Sequence, residues 1–367
     1  MSDILKPCME DLYKDELEAL AFHDKGEKPA GWRLSPKSLR TFILGQKKPL
    51  EYEGRSITIS QKFFGNDSLV ERCIVSLASS RPLLLIGEPG TAKSFLSELL
   101  SAGICGNSRN TIQGSIGLTE DMIKYSWNYA LLIAKGPVPE ALVPSPLYTG
   151  MTEGIITRFE EITRAPLEIQ DSLISVLSDK ILSIPELKDQ PFIMAQRGFN
   201  IIATANTRDK GVNEMSSALK RRFNFETVQP IKTIDMEMSV IRSQASKLCA
   251  DMKPELFDDS FISILASTFR DLRTGTSSGG GKFDRPDAVL STAEAVQVYQ
   301  QTVVDAHYYH DDEISMKTFV NNIKSAVIKD KEEDLKTLKN YVKVIAKSEE
   351  KSNDELYQEF AKQVAKC

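Results

Sequence analysis

The sequence predicts an α/β domain built on a parallel sheet covered by helices, followed by a separate all-α domain. Two observations carry this prediction. Between Ile57 and about Pro230 short apolar runs alternate with helical patterns, as in a sheet buried on both faces. After Pro230 strand signals vanish and apolar residues recur at three- and four-residue spacing. A chain of 367 residues is long enough for two or three domains of ordinary size.

Taken in order, residues 1–56 carry a short amphipathic stretch near Glu16 to Phe22 and Gly/Pro-containing text through Gly31 and Pro36, and read as an N-terminal extension. The α/β domain, 57–230, has strand candidates at Leu83–Ile86, Asn110–Gln113, Gly154–Phe159, Phe199–Ala205 and Phe223–Val228. The all-α domain, 231–367, has helical patterns at Thr233 to Cys249, Glu255 to Leu272, Asp287 to Ala306 and Ile314 to Ile328. A Gly/Ser loop at 274–287 interrupts it, expected to be mobile unless something binds it. The tail from Lys331 to Cys367 alternates charge signs and reads as a solvated face.

Apolar residues at 41% and charged residues at 26% exclude a disordered or fibrous chain. No apolar run approaches the ~18 residues of a spanning helix, and the start is too acidic for a secretory signal, so membrane insertion is not expected and a cytoplasmic location is. Forty-six basic against fifty-one acidic residues give −5, with no block of like charge to bind nucleic acid or a membrane. The five cysteines are far apart and show no CxxC spacing, which argues against a zinc site or a disulfide framework. His307 and His310 read as a solvated helix end rather than a metal site.

The most informative segment is Leu83 to Ser94, an apolar strand, a tight turn and the start of a helix. It matches G-x-x-x-x-G-K-[ST] except that Ala92 replaces the second glycine. A polyphosphate needs backbone N–H groups aimed at it from a turn, a helix N-terminus beneath it and a cation on its outer phosphates. Gly87, Gly90 and the helix start at Phe95 supply the first two; Lys93 would reach the β/γ-phosphates and the Ser94 hydroxyl would hold Mg²⁺. A Gly/Pro turn with a surface lysine is the bland reading, and the order strand, turn, helix disfavours it.

An acid pair is expected on a neighbouring strand, and Glu160-Glu161 closes the run from Gly154. Two adjacent carboxylates at the end of a buried strand are costly as mere structure, which favours a metal and nucleotide site, with Glu160 on the metal side and Glu161 as general base. Arg158 interrupts this otherwise apolar strand. Asn206 ends the run from Phe199 on an amide that could orient water or touch the γ-phosphate. Leu219-Lys-Arg-Arg-Phe223 puts three cations at a helix end, either as a C-cap or as a phosphate-reaching arginine.

With these words in this order the chain resembles the MoxR-type, helix-2-insert branch of the AAA+ ATPases over about residues 60 to 300. The resemblance implies a P-loop AAA+ sheet of order 5-1-4-3-2 followed by an all-α lid, with ATP and Mg²⁺ at the seam between them. It places the nucleotide at Phe64, Gly65, Gly87, Glu88, Pro89, Gly90, Thr91, Ala92, Lys93, Ser94 and Phe95, and an alanine before the lysine is usual in that family. Glu160 stands where the family has Asp. Asn206 falls at sensor one, Arg222 at the arginine finger with Arg221 in reserve, and Arg285 at sensor two. Tyr125 to Ile133 would supply the insert, its Trp127 and Tyr129 either core or contacts at a ring's pore. The resemblance further implies a homo-oligomeric ring, hexameric, that hydrolyses ATP to remodel a protein client, often one with a von Willebrand A domain. Two other functions stay open: a nucleic-acid-stimulated motor, disfavoured by the lack of a basic stripe, and a non-catalytic nucleotide-binding scaffold, favoured by Glu160 and Arg158.

Overall fold

The computed structural model describes residues 6–207, 214–249, 252, 258–277, 279–286, 290–329, 333–345 and 354–366. The chain divides into two compact units, Met1–Glu88 with Ala92–Gln229, and Pro230–Cys367 with Pro89–Thr91. The first holds a five-stranded sheet of β1 (Leu83–Gly87), β2 (Thr111–Gln113), β3 (Ile156–Glu160), β4 (Asn200–Asn206) and β5 (Asn224–Thr227). Its order is β5-β1-β4-β3-β2, every pair parallel, as the resemblance implies.

Alternation along the strands divides the core in two. Leu83, Leu85, Ile156 and Ile202 pack with Leu96, Leu99 and Leu100 on one face. Leu84, Phe159, Ile201 and Ala203 pack with Met151, Leu173 and Val176 on the other. The register sets Asn206 beside Gly87 and Ala203 beside Phe159, so the ends of β1, β3 and β4 lie together. The helix Lys93–Cys105 follows β1, and Asn66 caps the helix Asp67–Ala78 with its side chain.

Residues 1–56 are expected as an extension, but those described among them, 6–56, do not stand apart. Leu17 and Leu20 of the helix Lys14–His23, with Leu39, Phe42 and Ile43 of the helix Pro36–Leu44, join the same core as Leu96 and Leu99. A buried ion pair fastens them to the chain ahead of Phe64: Lys62 Nζ donates to Glu16 at 2.5 Å, to the Phe42 carbonyl at 2.8 Å and to the Ser60 carbonyl at 2.9 Å. The ammonium also lies over the rings of Tyr13 and Phe42, 4.6 and 4.4 Å from their centroids. Removing one partner of such a pair strands the other charge. Glu16→Ala is expected to cost about 3 kcal/mol, read as a shift in urea midpoint, and Glu16→Leu with Lys62→Met should recover much of that loss.

Between β2 and β3 an insert carries an antiparallel pair, Tyr125–Trp127 with Leu142–Pro144, around the helix Tyr129–Lys135. A second antiparallel pair, Ile181–Ser183 with Phe192–Met194, precedes β4 and is not foreseen by the strand pattern.

The second unit contains helices Ile234–Leu248, Asp259–Thr274, Thr292–Tyr309, Met316–Val327, Glu333–Ile345 and Glu355–Lys366. The expected start at Asp287 lies outside the described residues, as do parts of the tail beyond Lys331. The tail is more than a solvated face. Leu338, Tyr341, Val342, Ile345, Phe360 and Val364 share one core with Ile241, Phe269, Tyr299 and Phe319. Within this unit the fully buried Glu237 accepts from Arg273 at 2.8 Å and from Thr292 at 2.8 Å. In the Gly/Ser loop Thr276 bridges Lys282 and the Ser277 N–H donates to the Gly281 carbonyl at 2.8 Å. Among the described residues no helix is long and apolar enough to cross a membrane.

Candidate functional site

The turn after β1 departs from ordinary backbone at two places. Gly90 has φ +74° and Ala92 φ +64°, both left-handed. Glycine takes that conformation freely; an alanine there costs ~1 kcal/mol, a strain that falls where the helix Lys93–Cys105 begins. Lys93 is buried, and its ammonium donates to the carbonyls of Gly87 at 3.1 Å and Glu88 at 2.7 Å, so its charge sits at the loop's own backbone. Ser94, one residue on, is exposed.

Glu160, at the end of β3, is buried among four side chains. Its Oε2 accepts from Ser94 Oγ at 2.5 Å and Thr204 Oγ1 at 2.7 Å, and its Oε1 from Ser97 Oγ at 2.9 Å and Arg158 Nη2 at 2.6 Å. Burial alone would raise its pKa, but the Arg158 charge and the three hydroxyls outweigh burial and hold it below the usual glutamate value. Glu160 is therefore an anion. The Ser94 proton points at it, which leaves the Ser94 oxygen lone pairs for a cation, a donor set that fits Mg²⁺.

Glu161 stands differently. Its φ is +52°, its N–H donates to Thr204 Oγ1 at 3.0 Å, and its half-buried carboxylate accepts from Arg164 at 2.8 Å. Thr204 thus fixes both acids, donating to one side chain and accepting from the next residue's backbone. Gly114 allows this packing: its N–H donates to the Glu160 carbonyl at 2.7 Å, and a Cβ there would stand 2.1 Å from the Glu161 carbonyl oxygen.

A family model described as AAA domain (dynein-related subfamily) matches residues 82–223, and one described as YehL-like AAA+ ATPase C-terminal domain matches residues 235–362. The protein of Escherichia coli (strain K12) named "Uncharacterized protein YehL" is 48% identical over 332 residues, 90% of this chain and 89% of that one. The chain belongs to the YehL-like AAA+ ATPases. "Uncharacterized protein YojN" of Bacillus subtilis (strain 168) is 26% identical over 236 residues, 62% of this chain and 73% of that one. Among solved structures, the Thermotoga maritima RuvB Holliday junction branch migration motor aligns at TM-score 0.44 and 17% identity, covering 78% of this chain and 77% of that one. NtrX from Brucella abortus in complex with ADP aligns at 0.49 and 11%, covering 83% and 69%. Neither likeness bears on what the chain does.

This YehL-like AAA+ ATPase brings Lys93, Ser94, Glu160, Glu161 and Asn206 to one end of its sheet. Phe64 and Gly65 stand at the turn before Asn66, with Phe64 partly covered and Gly65 at φ +109°. Arg222 donates to Ser178 and to the Ala218 carbonyl. Arg285 is exposed in the second unit. Trp127 and Tyr129 part company: Trp127 is half-buried, edge-to-face on Tyr125 at 6.0 Å, whereas Tyr129 is 72% exposed. Sequence reasoning missed Ser97 and Thr204, whose only signal is a hydroxyl inside an apolar run, and took Arg158 for an interruption.

Proposed function

We propose that this chain binds ATP and hydrolyses it to ADP and phosphate. The observation that carries the reading is the direct Ser94–Glu160 hydrogen bond, which joins the phosphate loop to the acid pair. Lys93 would exchange its carbonyl partners for the β/γ-phosphates, with the loop's N–H groups around them. Ser94 and Glu160 would hold Mg²⁺, which when bound neutralises phosphate charge. Glu161 would take the proton of the attacking water, Asn206 would orient that water, and Phe64 with Gly65 would contact the nucleotide. Arg285 would reach the phosphates from the lid segment.

The domains follow the same reading: ATPase domain 57–230 with residues 1–56 serving it, and lid 231–367. The work would be MoxR-type remodelling of a protein client in the cytoplasm by a homo-oligomeric, hexameric ring, with Arg222 of one subunit completing the next subunit's site. Two features support a protein client, by resemblance one with a von Willebrand A domain. No run of five or six like charges is present to serve as a nucleic-acid tail, and Tyr129 and Ile133, 72% and 87% exposed, stand on an insert helix with no buried residue. A scaffold that binds without turnover is the second reading, favoured by the Arg158 ion pair on Glu160.

Purified protein should release phosphate from ATP only with Mg²⁺, and Lys93→Ala should bind no nucleotide. Binding without turnover would leave the scaffold; turnover stimulated by DNA and falling steeply with salt would mark a nucleic-acid motor.

A further inference from the structure

Arg158 precedes Glu160 by two residues on β3, so both lie on one face of the strand. A guanidinium with 6% of its side chain exposed needs its N–H groups matched. They are matched by Nε to Ser97 Oγ at 2.8 Å, Nη1 to the Ser108 carbonyl at 2.8 Å and Thr111 Oγ1 at 3.2 Å, and Nη2 to Glu160 Oε1 at 2.6 Å. Nη2 also lies 3.5 Å from Glu98. These partners come from the helix Lys93–Cys105, from the segment leading into β2, and from β2 and β3 themselves, so the guanidinium cannot shift without disturbing several elements.

The consequence falls on Glu160. Glutamate has one more rotatable bond than aspartate, and its carboxylate can reach more positions. Arg158 and Ser97 claim Oε1, leaving Oε2 as the oxygen bonded to Ser94. We propose that Arg158 is a positioning residue, holding Glu160 in the one orientation in which Oε2 and Ser94 together can take a hydrated divalent cation, and so setting how far Mg²⁺ tightens nucleotide binding. The role rests on the reading of this site as a nucleotide site.

The test is titration of a fluorescent ATP analogue against wild type, Arg158→Met and Arg158→Lys, each in EDTA and in Mg²⁺, with melting curves alongside. Arg158→Met should lose roughly 10–100-fold of the Mg²⁺-dependent gain in affinity, the usual effect of removing a partner behind a metal ligand. Its affinity in EDTA should stay within about twofold of wild type. Arg158→Lys keeps the charge but not the fork, so it should fold and recover part of the gain. In a Glu160→Gln background Arg158→Met should change the Mg²⁺-dependent gain no further, because the two residues act through one contact.

A purely structural role would lower the melting temperature and weaken binding equally in EDTA and in Mg²⁺, and that result overturns the proposal. Without a positioning role, loss of the positive charge in Arg158→Met would tighten Mg²⁺ binding and Arg158→Lys would leave it as it was, so an unchanged or larger gain in either variant that folds also overturns it. A wild type that binds no analogue in either buffer overturns the nucleotide-site reading, and this inference with it.

Discussion

Glu161→Gln should slow ATP turnover ~10²–10⁴-fold while binding ATP within a few-fold of wild type. The glutamine keeps the shape of the side chain and removes the basicity. The binding groups are elsewhere: Lys93 lies on the Gly87 and Glu88 carbonyls and Ser94 on Glu160, whereas the Glu161 carboxylate bonds Arg164. Its aim is set by backbone, through φ +52° and the N–H to Thr204, so the substitution leaves that aim in place. Filter binding and single-turnover phosphate release separate the two quantities. Equal turnover by the variant would remove Glu161 as the base.

Arg222→Ala should lower turnover ~10³-fold or more if the arginine acts across a subunit boundary. Its present partners, Ser178 and the Ala218 carbonyl, are surface groups it can leave when a phosphate is offered. Arg222→Ala subunits keep an intact phosphate loop, and Lys93→Ala subunits keep an intact arginine. Mixing the two inactive proteins should therefore restore part of the activity, because some interfaces then carry both groups. No restoration at any ratio, with mixed assemblies demonstrated by mass, would place Arg222 outside the neighbour's site.

The sheet was legible because its signals are local. Runs such as Leu83–Ile86 and Phe199–Ala205 must be apolar on both faces wherever they sit, and the turn from Gly87 to Ser94 advertises its geometry in its own letters. Glu160 and Glu161 were legible for the same reason, as two charges at the end of an apolar run. What escaped depends on distant partners. Arg158 reads as a fault in a strand until Ser97, Ser108 and Glu160 are placed around it. Thr204 looks like any threonine in a strand until both acids come to it. The last two helices look solvated because their charges are frequent, yet Tyr341 and Phe360 are fully covered by residues from earlier in the chain.

The Lys62–Glu16 pair and the helices around it also set a timetable for the chain's synthesis. Leu39, Phe42 and Ile43 leave the ribosome well before Leu96, Leu99 and Leu100, the residues of the helix Lys93–Cys105 that share their core. At roughly 5–20 residues per second the wait is on the order of 3–10 s. Glu16 meets its ammonium only when Lys62 follows 46 residues later, and the part of this core that Leu96, Leu99 and Leu100 complete stays open until they emerge, although Leu17 and Leu20 are already there to pack on the helix Pro36–Leu44. Seconds of exposure in the nascent polypeptide are when a holdase can act, and when neighbouring chains on one message can stick to each other.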